Sequence, residues 1–529
     1  TIKRFFGFAS TVNGAALLLG SAYFASRLLA LVRDRLLATG FGAGADLDVY
    51  YAAFRVPDFL FNVLIFGAVS AAFIPIFAGY LARKEAKQAN KVGSVVLTVG
   101  TMAIVLAAGL AWIFAPQLMP LVAPGFSDSQ MEHVVELTRV MLLSPIFFGL
   151  SGIFGSILQS NQRFIAYATA PLLYNLGIIG GALVAPEHGL VWLAYGVVAG
   201  AFLQMDVQLV AAFRTGFRFK PSLDWHHPGV RRIFWLMIPT TIGVAIVQIN
   251  LLVETIIAST LQEGSLSQFF LATSLSMVPV SVIGASFATA VFPVLAKAAE
   301  TKQTELYVQN LTTVIRQILF FVIPISIGMI LLRGQIVRLI YGAGKFDFSD
   351  TRYVASLLGI LAVSLFAQAL IPLMSKAFYA LRNTKTPVVL SGIAMVFNII
   401  AAFAAAYYFG VVGLGIAFSA ASIIQLALLF FFLSGKVPQL EDATMVSAAT
   451  KLVIASFVMG AAVYGTLYGV DYLTGDLQET ATVGFFALQT VAATVVGGLV
   501  YLAVTRAMGL PEAQRFIDKV LRRPHELAK

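Results

Sequence analysis

The sequence contains no cysteine among its 529 residues. Disulfide bonds and thiolate metal sites are therefore excluded, and the five histidines show no spacing typical of a zinc site. Charged residues are also scarce, at 11% against about 25% in soluble globular proteins. A chain with so little charge cannot cover its surface in water. The missing charge argues against a soluble protein and favours a chain that lies in a lipid bilayer.

Long apolar segments recur throughout the sequence. Hydrophobic residues make up 59% of the chain, and the mean hydropathy is +0.88. About 20 apolar residues in a helix cross the hydrocarbon core of a bilayer. We therefore predict an all-α polytopic membrane protein with about 14 transmembrane helices. The predicted spans are centred at Ala25, Leu64, Ile104, Leu143, Ile178, Gly200, Ile246, Val282, Phe321, Gly359, Met395, Phe418, Met459 and Val491.

The net charge of +10 comes mostly from loops. A basic chain can bind nucleic acid, but here Lys and Arg are concentrated in alternate loops, for example residues 82–91 and 214–232. Such loops favour the cytoplasmic side of a membrane. We therefore expect a multi-pass protein of the cytoplasmic membrane, with both termini in the cytoplasm, membrane lipids as neighbours and no nucleic-acid partner. The basic loop within residues 333–352 departs from the rule.

Two halves of the sequence repeat the same motifs in the same order. Asn175 and Asn398 lie 223 positions apart, and Phe126–Asp128 returns 222 positions later as Phe348–Asp350. The offset covers six predicted spans, so both copies have the same orientation in the membrane. This pattern predicts two parallel six-helix lobes around a central cavity that opens alternately to either side, as in a transporter.

The repeat also sets the predicted domain boundaries. We expect an N-terminal lobe at residues 1–220 and a C-terminal lobe at residues 221–440. Two additional transmembrane helices follow at residues 441–510, and a basic cytoplasmic tail at residues 511–529. Because the cavity forms within one chain, a monomer is expected.

Arginines inside the first apolar segment are candidate ligand-binding residues. Arg27 lies near the middle of the predicted span and Arg33 nearer its end. A charged residue in a membrane span is costly, so it usually faces a cavity or a partner. The alternative roles are snorkelling and an ion pair, for Arg27 with Asp34, Asp48 or Glu254.

Charged residues also occur in the second and seventh spans. Arg55 and Asp58 are three positions apart, so they can form an ion pair on one helix face or line the cavity. Glu254 lies in span seven, where it can bind a cation or proton or pair with Arg27. These positions are candidates for substrate binding or ion coupling.

The sequence contains no pattern of a catalytic site. Gly342–Lys345 has neither the glycine spacing nor the following Ser or Thr of a phosphate-binding loop. We therefore expect no enzyme activity and no cofactor. Transport would be driven by a gradient of Na⁺ or H⁺, by the membrane potential or by a downstream sink.

Several motifs resemble the MurJ (MviN) family of lipid II flippases. They are Ser26–Asp34, Phe41–Gly44 with Asp48, Phe54–Pro57, Gly67 with Ala72–Pro75, Leu158–Asn175 and Phe378–Pro387. The resemblance covers residues 10–510. It implies the fold of the multidrug/oligosaccharidyl-lipid/polysaccharide exporter superfamily. It also implies transport of lipid II, the undecaprenyl-pyrophosphate-linked peptidoglycan precursor, to the outer leaflet of the bacterial inner membrane.

The resemblance also assigns roles to residues. Arg27 and Arg33 match arginines proposed to bind the substrate pyrophosphate, Arg55 would assist them, and Asp48 matches an acidic position of the family. Glu254 and Asn398 match positions of an ion-coupling site. An arginine fork suits a phosphate oxyanion, which agrees with these assignments.

The sequence departs from the family in span eight, where Thr273 and Ser274 replace an Asp-Arg pair. The cavity is therefore less basic than the family pattern. This leaves open export of another polyprenyl-linked glycan, or of small organic cations by ion antiport. A non-transporting membrane scaffold or receptor is a third hypothesis, against which the repeat and the buried charges argue.

Overall fold

The computed structural model describes residues 12–437, 443–474 and 483–521. Within these ranges the protein is helical and contains no β-strand, which confirms the predicted all-α class. The first and last parts of the sequence, including residues 522–529 of the predicted basic tail, lie outside the described residues. The helices are α1 (Val12–Phe41), α2 (Ala45–Ala53), α3 (Arg55–Phe61), α4 (Gly67–Ala82), α5 (Ala86–Ile113), α6 (Ala115–Val122), α7 (Asp128–Met141), α8 (Ser144–Ser160), α9 (Phe164–His188), α10 (Val191–Phe213), α11 (Pro228–Ser259), α12 (Ser265–Pro279), α13 (Ser286–Glu300), α14 (Thr304–Leu331), α15 (Arg333–Tyr341), α16 (Phe348–Val363), α17 (Leu365–Ala380), α18 (Lys385–Phe409), α19 (Val411–Ser434), α20 (Ala443–Thr474), α21 (Val483–Ala507) and α22 (Pro511–Leu521).

The described residues contain 11 helices that are long and apolar enough to cross a membrane, and α16 with α17, bent by 49° at their junction, make a twelfth if the pair is one span. These twelve coincide with twelve of the predicted spans. The other two predictions fall on α1, which carries Arg27 and Arg33–Arg35, and on the segment near Leu64, which is broken into short helices. A multi-pass membrane protein is thus confirmed, whereas the count of fourteen is not.

Polar side chains occupy the bend between α16 and α17. The side chain of Gln368 donates a 3.2 Å hydrogen bond to the carbonyl of Leu361 and a 2.9 Å bond to Ser364 Oγ. Ser419 donates to the carbonyl of Ile360. A bent helix leaves backbone carbonyls without their usual donors, and these cannot remain unsatisfied inside a membrane. The side chains therefore stabilise the bend.

The chain divides by its contacts into two compact units. Unit 1 runs to Ser267 and includes Gly344–Phe346, and unit 2 contains the rest. Unit 1 holds α11, which packs against α4. The lobe boundary at residue 220 rests on the internal repeat and stays a prediction.

In unit 1, α9 and α10 pack through glycines. A Cβ atom added to Gly177 would lie 2.3 Å from Gly200 Cα, and one added to Gly196 would lie 2.8 Å from Gly181 Cα. Each helix thus places two glycines four positions apart on one face. Small residues at this spacing let membrane helices approach closely and gain van der Waals contact.

In unit 2, buried tyrosines join distant helices. Tyr307 donates a 2.9 Å hydrogen bond to the carbonyl of Ala377, and Tyr501 a 2.7 Å bond to that of Phe320. A buried phenol needs a partner, so these contacts fix the helices that carry them. The amphipathic helix α22 is attached to α14 by a 2.9 Å ion pair between Glu512 and Arg316.

A glycine followed by a proline recurs in the two repeats, as Gly67 with Pro75 and as Gly284 with Pro293, and the local structure is alike in both. A π-helical segment, Asn62–Phe66, precedes α4 with its internal Pro75. A second π-helical segment, Val280–Ala285, precedes α13 with its internal Pro293. The extra residue in a π-helical turn interrupts the regular α-helical hydrogen bonds. The repeated sequence motif therefore specifies a repeated irregularity.

Candidate functional site

A charged cluster in unit 1 begins with neighbours on α1. Arg33 Nε and Nη2 donate hydrogen bonds of 2.9 and 2.7 Å to the same atom, Asp34 Oδ1. The Asp34 side chain is completely buried, and that of Arg33 is 19% exposed. A buried carboxylate requires a charged, hydrogen-bonded partner. The Asp34 carboxylate therefore fixes the orientation of the Arg33 guanidinium.

Asn175 of α9 contacts the same guanidinium. Its Oδ1 accepts a 3.4 Å bond from Arg33 Nη1, and its Nδ2 donates a 3.2 Å bond to Ser26 Oγ. Ser26 and Arg33 are seven positions apart, so they lie on one face of α1. A guanidinium has five N–H donors. Within the described residues, three of these donors of Arg33 form hydrogen bonds. The other two can bind a further acceptor.

Arg27 lies on α1 next to the helix face that carries Ser26 and Arg33. Its side chain is half-buried, and it precedes Asp34 by seven positions, which is two helical turns. Helical spacing therefore places Arg27 on the side of α1 that carries Asp34. The predicted site residues Arg27 and Arg33 thus both lie on α1, and the role of Arg27 in substrate binding stays a prediction.

Arg55, at the start of α3, is held by α11. Its Nε donates a 2.6 Å hydrogen bond to Thr255 Oγ1, and Thr255 donates in turn to the carbonyl of Leu251. The charges of Asp58 and Glu254 both interact with the guanidinium. Asp58 interacts electrostatically with both Arg55 and Arg33, and the ion pair between Arg55 and Asp58 stays a prediction. The carboxylate of Asp58 therefore links the two arginines electrostatically.

Glu254 is buried, at 5% exposure, beside a polar partner on its own helix. Asn250 Nδ2 donates a 2.8 Å hydrogen bond to Glu254 Oε1. The spacing of four positions places the two side chains on one face of α11. The amide stabilises the carboxylate, which is the candidate ion-coupling group.

Asp48 occupies a different environment. Its two carboxylate oxygens accept backbone hydrogen bonds of 2.8 Å from Gly264 and 2.7 Å from Ser267. Asp48 is 2% exposed. The carboxylate thus satisfies N–H groups before and within the first turn of α12, which have no partner inside the helix. This geometry supports a structural role, and the substrate-binding role that the family resemblance implies stays a prediction.

Asn398 belongs to unit 2, whereas Glu254 belongs to unit 1. Asn398 is buried in α18 at 4% exposure, and Ala402 is buried one turn later. In the described ranges, no three His, Asp or Glu side chains form a group that could hold a metal ion. Cation or proton coupling through Glu254 and Asn398 stays a prediction.

Sequence reasoning missed several members of the cluster. Asn175 was recognisable as a repeat marker, but its contact with Arg33 joins residues 142 positions apart. Tyr50 and Tyr174 also interact electrostatically with Arg33. An Asn or Tyr in an apolar span is a weak signal, because most such residues satisfy a local hydrogen bond.

Comparisons with known proteins identify the family of this chain. The family described as "Lipid II flippase MurJ" matches residues 37–482. "Probable lipid II flippase MurJ" of Vibrio cholerae is 31% identical over 420 residues, covering 77% of this chain and 79% of the relative. "Lipid II flippase MurJ" of Burkholderia cenocepacia is 30% identical over 393 residues, covering 72% and 74%.

Solved structures give the same result. A structure described as "Lipid II flippase MurJ, inward closed conformation" is 26% identical, with a TM-score of 0.78 over 93% of this chain and 98% of that chain. A multidrug resistance MATE family transporter of the MOP superfamily has a TM-score of 0.66 at 15% identity, over 79% and 96%, which shows a shared fold. Sequence and fold together establish that this chain belongs to the MurJ family of lipid II flippases.

Proposed function

We propose that this protein moves lipid II from the inner to the outer leaflet of the bacterial cytoplasmic membrane by alternating access. The observation that carries the proposal is the Arg33 guanidinium, which is oriented by Asp34 and Asn175 and retains two N–H donors. A guanidinium with two donors suits a phosphate group, which it can bind through two parallel hydrogen bonds. The pyrophosphate of lipid II is such a group.

The proposed binding residues act together. Arg33 binds the pyrophosphate, and Arg27 and Arg55 add positive charge. Asp34 and Asp58 partly neutralise this charge. A transport site must bind its substrate strongly enough for entry and weakly enough for release. The carboxylates therefore have two roles: they orient the arginines and limit the affinity for the anion.

We also propose that Glu254 and Asn398 couple transport to Na⁺, H⁺ or the membrane potential. The buried carboxylate of Glu254, with Asn250 as its donor, supports this proposal. Ionisable groups inside a membrane commonly mark ion or proton pathways. The protein acts as a monomer without enzymatic activity, and its alternating basic loops support cytoplasmic termini.

The proposal is tested by complementation in a bacterium depleted of its own lipid II flippase. Arg27→Ala and Arg33→Ala are compared with wild type and with Arg218→Ala, which removes an exposed loop arginine. Equal membrane expression is verified for each variant. Wild type and Arg218→Ala should restore growth, whereas the other two should not. Rescue by all three variants would overturn the site assignment.

One observation favours a second candidate function. Asp34, Asp58 and Glu254 surround two arginines, so the cluster contains more carboxylates than a plain anion site. Such a site suits a small organic cation exchanged for an ion. A reconstituted system separates the two functions: lipid II movement supports the first proposal, while cation uptake that depends on Glu254 and an inert lipid II assay support the second.

A further inference from the structure

A groove of about 1090 Å³ lies between α5, α7 and α10, all within unit 1. Its α5 wall consists of Val105, Ala108, Gly109 and Trp112. These positions follow the spacing of one helix face. Gly109 has open space where a Cβ would stand, so this wall is not filled by a neighbouring helix. The groove does not include the charged cluster around Arg33.

The groove is polar at one end and apolar at the other. Trp112 and Tyr195 lie at the end that adjoins the charged helix α7. On α5, Val105 lies two turns from Trp112, and on α10, Val198 lies one turn from Tyr195. Ile146 also lines the groove, two turns beyond Arg139. Trp and Tyr are enriched where membrane meets water. The groove therefore runs from the membrane surface into the hydrocarbon region.

Three carboxylates line the polar end. Asp128, Glu132 and Glu136 are spaced four positions apart on the groove face of α7, and all are exposed. Arg139 follows on the same face, where its Nε donates a 3.3 Å hydrogen bond to the carbonyl of Trp112. Its guanidinium lies over the Trp112 ring, 5.0 Å from the centroid. This contact fixes an arginine beside the carboxylates.

We propose that the groove binds a phospholipid whose headgroup carries a primary ammonium, such as phosphatidylethanolamine. The Arg139 guanidinium binds the phosphate, and the carboxylates of Glu132 and Glu136 accept hydrogen bonds from the ammonium. The acyl chains lie against Val105 and Ile146. Opposite charges side by side in the groove match a zwitterion in both signs.

The same charges disfavour other occupants. An anionic lipid has no ammonium to balance its phosphate, and some carry a second negative group. Either charge would lie beside three carboxylates. A choline headgroup has no N–H to donate to Glu132 or Glu136. The zwitterionic, N–H-bearing headgroup is therefore the best match.

The experiment measures lipid retention on the purified full-length chain by native mass spectrometry. Phosphatidylethanolamine, phosphatidylcholine and phosphatidylglycerol with identical acyl chains compete at equal concentration. Wild type should retain phosphatidylethanolamine roughly tenfold better than phosphatidylcholine, since hydrogen bonds to charged groups are lost in the latter. The readout does not depend on transport, so its failure leaves the proposed flippase function intact.

Matched variants locate the site. The double variant Glu132→Gln, Glu136→Gln should abolish the preference for phosphatidylethanolamine over phosphatidylcholine. Arg139→Gln should reduce retention of both, because both carry the phosphate. Glu187→Gln and Arg218→Gln change exposed charges that do not line the groove, and should resemble wild type. Thermal unfolding in lipid-free detergent verifies that each variant is folded.

Results of two kinds, from lipid retention and from crosslinking, would overturn the proposal. One is equal retention of the three lipids by wild type, or a preference that survives all groove variants. The other is photocrosslinking from position 109 in native membranes that captures a protein helix and no phosphatidylethanolamine. Crosslinking to phosphatidylethanolamine that disappears in Arg139→Gln would support it.

Discussion

Arg55 and Thr255 form a 2.6 Å hydrogen bond between residues 200 positions apart in the sequence. Thr255 is completely buried, and its hydroxyl also donates to the carbonyl of Leu251. The threonine therefore accepts a bond from a cation while its own proton is directed to the backbone. This contact joins the second and seventh predicted spans within unit 1, and it orients one of the three candidate arginines.

Thr255→Val should weaken both stability and transport. Valine has the same shape but cannot accept from Arg55, and a charge-assisted hydrogen bond contributes about 1.5–3 kcal/mol. We expect a lower unfolding temperature in detergent and slower lipid II movement in vesicles. Thr169→Val is the control, because the Thr169 hydroxyl bonds only to carbonyls of its own helix. Equal behaviour of both variants would contradict an orienting role for Thr255.

Asp48→Ala should destabilise the protein strongly. It leaves the buried N–H groups of Gly264 and Ser267 without their acceptor, and an unsatisfied buried group costs about 1–3 kcal/mol. Hydrogen exchange should accelerate at both amides, and the unfolding temperature should fall. Loss of transport with unchanged stability and exchange would instead support the substrate-binding role that the family resemblance implies.

Gly200→Ala should disrupt the packing of α9 against α10. The added Cβ would lie 2.5 Å from the carbonyl oxygen of Tyr174, and forced overpacking costs about 1–3 kcal/mol. Gly180→Ala is the matched control, because its Cβ would meet nothing within 4 Å. That control should be neutral or slightly stabilising through helix propensity. Thermal unfolding of the two purified variants measures the difference directly.

Protonation of His227 should loosen the loop before α11. His227 Nδ1 accepts a hydrogen bond from the Gly229 amide, and Nε2 contacts Gln88 at 3.0 Å. Burial, followed by the charge of Lys91, lowers the pKa of His227 below its ordinary value of 6.5. A histidine whose pKa is lower in the folded than in the unfolded state stabilises the fold in its neutral form. This contribution is fully present above the pKa of the unfolded state and is lost as the pH falls through the pKa of the folded state.

The neighbouring ion pair should not share this response. Lys91 Nζ lies 2.6 Å from Asp224 Oδ2, and the hydrogen bond lowers the pKa of that carboxyl below 3.8. At mildly acid pH the ion pair therefore persists, because the pKa of Asp224 lies below 3.8, and a change on acidification reports on His227. We expect faster intrinsic-rate-corrected hydrogen exchange of the Gly229 amide at lower pH, because a protonated Nδ1 cannot accept its hydrogen bond. In His227→Gln this increase should disappear, and its persistence would assign the effect to another group.

The sequence alone determined the fold class and most of the spans. Long apolar segments predict membrane helices because a bilayer leaves the backbone no other partners, and this requirement is local. Eleven predicted spans coincide with spans of the described residues, and a twelfth coincides with the bent pair α16 and α17. The sequence also identified Arg33, Arg55 and Glu254 as unusual, since an ionisable residue in an apolar run is visible without a structure.

Only the tertiary structure decided what those residues contact. Arg33 meets Asn175 across 142 positions, and Asp48 reaches Ser267 across 219. A charge in a sequence has many possible partners, and the packing of helices selects among them. This is why Asp48, which the family resemblance placed with the substrate, has both oxygens occupied by backbone amides. The cost of a buried charge is evident from the sequence, whereas the group that offsets it depends on which helices are brought together.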